Sequence, residues 1–143
     1  MPRDLKKFEH NLLQQGFGGV LGTRLDHLEE GFCRVLLPYK DDLSRGDELI
    51  HGGVIAALID KAGTASAWSY EDIGRESRGA TVGLTVNYLQ GAKSCDLVAE
   101  SRVVRRGGSI TVADVEVTNP QGDLVAKGLV TYKLSLVRKT PKA

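Results

Sequence analysis

The sequence predicts an α+β fold in which one buried central helix is wrapped by a six-stranded antiparallel sheet. Three observations lead there. Residues 52 to 70 form an apolar helical run with small residues at Ala56, Ala57, Ala62, Gly63, Ala65 and Ala67. Two strand-like segments precede that run and four follow it. The later segments are separated by turn signals at Gly91, Gly107-Gly108 and Asn119-Pro120-Gln121-Gly122. A helix apolar on nearly all sides must be buried. A curved sheet around it is a standard layered solution.

Taken in order, Asp4 is placed to cap a first helix over 4 to 15, with Leu5, Phe8 and Leu12 on one face and Gly16 ending it. The glycines from Gly16 to Gly22 do not make a dinucleotide loop. Leu21 stands where the third glycine belongs, and the run follows a helix instead of a strand. Strands are expected over 20 to 29 and 32 to 38, joined at Glu30-Gly31. A polar connection leads to Ile50. After the long helix, 71 to 79 reads as a charged loop. Strands follow at about 80 to 89, 96 to 106, 109 to 118 and 124 to 137. Val82, Leu84, Val86 and Tyr88 alternate with Thr81, Gly83, Thr85 and Asn87, the period-two mark of a strand. The basic tail 138 to 143 is expected to fray.

Length and composition narrow the function. A chain of 143 residues reads as one domain, 1 to 143, with room for a real core. A net charge of +1 gives no bulk field for nucleic acid or a membrane surface. The longest apolar stretch, Val54 to Ile59, is too short to span a bilayer. The first seven residues carry no apolar signal core. Cys33 and Cys95 lie in strand-like segments without metal-ligand spacing and read as reduced thiols of a cytoplasmic protein. No metal or other cofactor is expected.

The chemistry concentrates in His51-Gly52-Gly53-Val54-Ile55-Ala56-Ala57-Leu58-Ile59-Asp60. Two glycines at a helix start leave backbone N–H groups open to a ligand. The helix N-terminus favours negative charge, including charge developing on an oxygen. Asp60 is a lone carboxylate in an apolar run, costly unless paired or used. Eight residues separate Gly52 from Asp60, which at 1.5 Å per residue is about 12 Å. General-base chemistry needs hydrogen-bond reach, so Asp60 cannot serve its own Gly52. A two-fold partner with an antiparallel helix can set its Asp60 opposite this glycine.

The same stretch resembles the hotdog-fold acyl-CoA thioesterases of the phenylacetate-degradation type, within the 4-hydroxybenzoyl-CoA thioesterase superfamily. Thr81 to Leu89 resembles the family's strand after the central helix. Val104-Arg105-Arg106-Gly107-Gly108-Ser109 and Asn119 to Ala126 resemble its later hairpins. The likeness spans residues 17 to 137. It implies spatial strand order 1-2-4-5-6-3, a homodimer with composite sites and, beyond that, a dimer of dimers. It also implies hydrolysis of an acyl-CoA thioester to a carboxylic acid and free CoA. Gly52, alone or with Gly53, would then bind the carbonyl oxygen, and His51 would orient the loop or carbonyl through a ring N–H. Asp60 would act as base or nucleophile, and Thr81 would hold the water. Where relatives often carry an Asn six residues before the histidine, this chain has Arg45. Arg105, Arg106 and Lys93 are candidates for the phosphates of coenzyme A, which Arg recognises well. Trp68, Tyr70 and Tyr88 are candidates for an acyl pocket. Two rivals are an acyl-CoA hydratase or dehydratase and a non-catalytic acyl-CoA sensor, both on the same fold. No second acid/base pair stands out for the first. Asp60 argues against the second.

Overall fold

The computed structural model describes residues 3 to 135 and residue 137. Six strands form one antiparallel sheet: β1 (Arg24–Glu29), β2 (Phe32–Leu37), β3 (Arg78–Tyr88), β4 (Leu97–Arg106), β5 (Ile110–Thr118) and β6 (Leu124–Ser135). Their order is β1-β2-β4-β5-β6-β3, as expected. The helices are α1 (Leu5–Glu9), α2 (Phe17–Leu21) and the long α3 (Gly52–Ala67). The sheet curves around α3. Leu58, Ile59, Ala62 and Ala65 are buried in one cluster with Val35, Leu37, Ala99, Val115, Val117 and Val130.

The small residues of α3 explain how closely the sheet approaches. A Cβ on Gly63 would lie 2.5 Å from a Val130 methyl, and one on Gly128 of β6 would lie 2.8 Å from Ile59 Cγ2. Both distances are far inside van der Waals contact, so neither glycine can take a side chain without the layers separating.

The N-terminal region departs from expectation. Asp4 does cap the first helix, its Oδ1 accepting from the Lys7 N–H at 3.0 Å. The α-helical turn then widens into a π-helical stretch, His10–Gln14, instead of continuing as one α-helix. Residues 17 to 21 form α2, and the first strand starts only at Arg24. The reason is packing. Gly18 lies so close to the Leu13 carbonyl that a Cβ there would be 2.2 Å from its oxygen, and Gly22 ends the helix at φ 83°. Glu9 accepts from the Leu25 N–H at 2.6 Å, and Lys61 of α3 reaches the Leu12 carbonyl at 3.3 Å. These bonds anchor the N-terminal segment to the sheet and to the central helix.

Elsewhere the boundaries move by a few residues. Helix α3 stops at Ala67, before Tyr70. Ser69 accepts the Gly31 N–H at 2.7 Å and donates to the Ser66 carbonyl at 2.6 Å. Cys33 is buried in β2 and donates to the Ala62 carbonyl, and burial pushes its thiol up to about 12. Cys95 lies in the connection before β4, not in a strand, and both thiols are free. The expected frayed tail, 138 to 143, lies outside the described residues.

Strand β3 is a free edge of the sheet. Of its alternating apolar residues Val86 packs against this chain's core, but the other three do not. Val82 is 58%, Leu84 40% and Tyr88 54% exposed, followed by Leu89 at 54%. An exposed, long, apolar edge strand is a ready template for pairing.

Candidate active site

The site begins at the entry to α3. His51 takes an extended backbone conformation and caps the helix with its ring, Nδ1 accepting the Gly53 N–H at 2.8 Å. This corrects one expectation. The Gly53 N–H is already bonded and is no second donor for a substrate oxygen. The His51 ring holds the turn through Nδ1, which leaves Nε2 as the ring nitrogen that could carry the N–H expected to orient the carbonyl. The Gly52 N–H has no partner among the described residues. It is one of the orphan donors that every helix start leaves.

Gly52 lines an open cleft of about 410 Å³ with Leu49, Ile50, Ile55, Leu89 and Ala92. Arg45 and Tyr88 line it too. The Tyr88 hydroxyl donates to the Gly52 carbonyl at 2.7 Å. Arg45, where relatives often carry Asn, forms a two-pronged pair with Asp47 at 2.8 to 3.0 Å. Its guanidinium is therefore engaged within its own loop. Of the three aromatic candidates for the pocket, Tyr88 is the one on this cleft. Trp68 instead donates to the Tyr132 hydroxyl at 2.8 Å, and Tyr70 lies under the Arg106 guanidinium.

Two turns along α3, Asp60 is half-buried, and the Thr81 hydroxyl donates to its Oδ1 at 2.6 Å. Its other oxygen has no partner among the described residues. Thr81 precedes a bulge in β3, where pairing with β6 shifts between Thr81 and Gly83. Bulges re-aim side chains and are frequent beside active sites. Thr81 is paired with Tyr132 of β6, whose phenol pKa is raised first by burial and also by the Asp60 charge. The expected strand order already set β6 beside β3, but which β6 residue faces Thr81 is decided by the register, so Tyr132 was not singled out from the sequence.

The basic candidates separate. Arg105 is exposed and without a partner among the described residues. Arg106 is held by Asp72 at 2.6 Å and stacks 3.9 Å from the Tyr70 ring centroid. It clamps the β4 tip to the loop after α3, which the reading of both arginines as phosphate ligands did not foresee. Lys93 pairs with Glu48 at 3.1 Å on the surface. Among the described residues, no cluster of His, Cys, Asp or Glu is arranged to hold a metal, and no helix is long and apolar enough to cross a membrane.

Comparison with known proteins decides the family. The model of the thioesterase superfamily matches residues 48–126, which takes in the His51 turn, Asp60 and Thr81. The chain belongs to the thioesterase superfamily. A Halobacterium salinarum protein named "Putative esterase VNG_1336C" is 34% identical over 78% of this chain and 72% of its own length. The medium/long-chain acyl-CoA thioesterase YigI of Escherichia coli K12 is 29% identical over 81% of this chain and 83% of its own. Among solved structures, a thioesterase family protein from Silicibacter pomeroyi superposes with a TM-score of 0.83 at 24% identity, covering 93% of this chain and 98% of that one. The smu.793 protein of Streptococcus mutans, solved bound to acetyl CoA, superposes at 0.73 with 27% identity, covering 82% and 91%. The hotdog fold and its thioesterase family are thus those expected from the sequence.

Proposed function

We propose that this member of the superfamily hydrolyses acyl-CoA thioesters. The observation that carries the reading is the unpartnered N–H of Gly52, a residue lining a mainly apolar cleft, with a hydroxyl-bonded carboxylate two turns along the same helix. The thioester carbonyl oxygen accepts from Gly52. Asp60 of the partner subunit takes a proton from water as the water oxygen bonds to the carbonyl carbon. The helix N-terminus stabilises the resulting oxyanion. The intermediate collapses, the C–S bond breaks, and the thiolate leaves as thiol with the proton that Asp60 held. Thr81 fixes Oδ1 of Asp60. The other oxygen stays open to the water, and the Thr81 hydroxyl oxygen can accept from that same water.

The separation of Gly52 and Asp60 supports a two-fold dimer. So does the exposed apolar edge of β3. Gly52 is bonded near the Tyr88 end of β3, and Asp60 near the Thr81 end. Antiparallel pairing of β3 with its copy sets the Thr81 end of one strand beside the Tyr88 end of the other. Each donor then meets the other chain's carboxylate, and a dimer of dimers is an extension of the same symmetry. Arg105 and Lys93 are the cations proposed for the phosphates of CoA. The exposed Lys93–Glu48 pair is weak enough to exchange partners. YigI, named for medium- and long-chain acyl-CoA, supports an apolar acyl group in the cleft. A panel of aromatic, medium-chain and branched acyl-CoAs, followed by free-thiol release, tests the activity. Turnover of none of them overturns it. Sedimentation at assay concentration tests the composite site, and a fully active monomer overturns that part.

A further inference from the structure

We infer that Tyr88 is a positioning residue for the Gly52 donor. The inference rests on the reading of Gly52 as the oxyanion donor. The peptide joining Gly52 to Gly53 is held on both sides. Its carbonyl accepts from the Tyr88 hydroxyl at 2.7 Å, and its N–H donates to His51 Nδ1 at 2.8 Å. A peptide is a rigid plane, so two bonds in opposite directions fix its rotation. The next peptide toward the N-terminus carries the free Gly52 N–H. The two planes share the Gly52 Cα. The donor-bearing peptide is held through its own carbonyl, since His51 C=O accepts the Val54 N–H at 2.9 Å and the Ile55 N–H at 3.3 Å, so the first turn of α3 moves as one unit and the Tyr88 bond ties that unit to the end of β3.

The Tyr88 ring also closes one side. A Cβ placed on Gly52 would lie 3.4 Å from the ring, in ordinary contact, so the ring rests directly on the glycine. Tyr88 sits at the last position of β3, and its ring lines the cleft. One side chain therefore shapes the cleft and holds the donor in place. A catalytic donor works best when it needs no reorganisation as charge develops. Without the Tyr88 bond the first turn of α3 keeps its helical bonds and the His51 anchor but loses its tie to the end of β3.

Tyr88→Phe separates the two roles, because it keeps the ring and removes the hydroxyl. In the full-length protein the expected result is a fall in kcat of about fivefold, the size of one ordinary hydrogen bond, with KM unchanged. The ¹⁵N resonance of Gly53, whose own peptide carbonyl receives the bond, should shift in the unliganded protein. Tyr88→Leu, which also removes the ring, should raise KM in addition. A kcat within twofold of wild type in Tyr88→Phe, or an unmoved Gly53 resonance, overturns the inference. A rise in KM equal to the loss in kcat/KM, with kcat intact, also overturns it, since Tyr88 would then bind substrate uniformly. Asp60→Asn is assayed beside it. If Asp60→Asn is inactive while Tyr88→Phe is fully active, only the Tyr88 inference fails. If Asp60→Asn is fully active, the reading of the site itself fails.

Discussion

At its start α3 offers a donor with nothing to act on the bound group; two turns later it offers a carboxylate with no oxyanion donor beside it. The Gly52 end is open, lined by Leu49, Ile50, Ile55 and Leu89 with Arg45, Tyr88 and Gln90, and the backbone of the glycine turn there is held by His51 and Tyr88. The Asp60 end is closed in by β3 and β6, and its polar groups are side chains, Asp60, Thr81 and Tyr132. In the proposed reaction the contrast is between binding and proton transfer. A helix terminus supplies fixed dipoles without a side chain. A proton acceptor needs a titratable group, held by a neighbour that leaves one oxygen free. Because one rigid helix keeps them about 12 Å apart, the proposed reaction needs a second chain to bring a donor and a carboxylate together.

The sharpest way to break this comparison is Asp60→Asn. The amide is nearly isosteric, so folding and assembly should persist, but it cannot accept a proton from water. Turnover should fall by about 10²–10⁴, the usual worth of general-base assistance. Unchanged turnover with an unchanged thermal melt would remove Asp60 from the reaction.

A mixing experiment tests whether the two ends belong to different chains. Gly52→Pro lacks the N–H, and proline suits the first helical position. Alone, each variant is expected to be nearly inactive. Mixed dimers collect both lesions in one site and neither in the other, so activity should partly return once subunits exchange. If verified mixed dimers stay inactive, each site is built within one chain.

A smaller effect is expected at Thr81. Thr81→Val removes the bond to Oδ1 and should lower kcat about tenfold, in line with a hydrogen bond to a charged group. Thr81→Ser should restore most of it. Equal rates in the two variants would reduce Thr81 to a strand residue.

The basic residues should give the smallest changes, of two different kinds. Arg105→Ala is expected to raise KM with kcat held, as loss of a remote phosphate contact does. Arg106→Ala should instead lower the melting temperature by about 2 °C, because it removes a clamp to Asp72 worth about 1 kcal/mol or less. Titrations of KM and thermal melts on the same preparations separate the two. A KM rise in Arg106→Ala alone would reverse the assignment.

Much of this molecule was legible in one dimension. The buried helix, the strand segments and the turns followed from periodicity and from glycine and proline placement, because these reflect local backbone preferences and a two-sided core. The candidate donor and carboxylate were legible because a glycine pair at a helix start and an acid in an apolar run both violate ordinary composition. The spacing also excluded their meeting within one chain. Tertiary structure alone decided how the polar groups are divided. The His51 ring could donate or accept, and only the folded turn sets it against the Gly53 N–H. Arg105 and Arg106 are neighbours with the same chemistry, and strand pleat sends one to solvent and the other to Asp72 and Tyr70. Thr81 and Asp60 are 21 residues apart, and Tyr88 and Gly52 are 36 apart. Those contacts arise from the crossover that lays β3 along α3. Sequence periodicity reports which face of a segment is apolar, but it does not report which distant segment that face will meet.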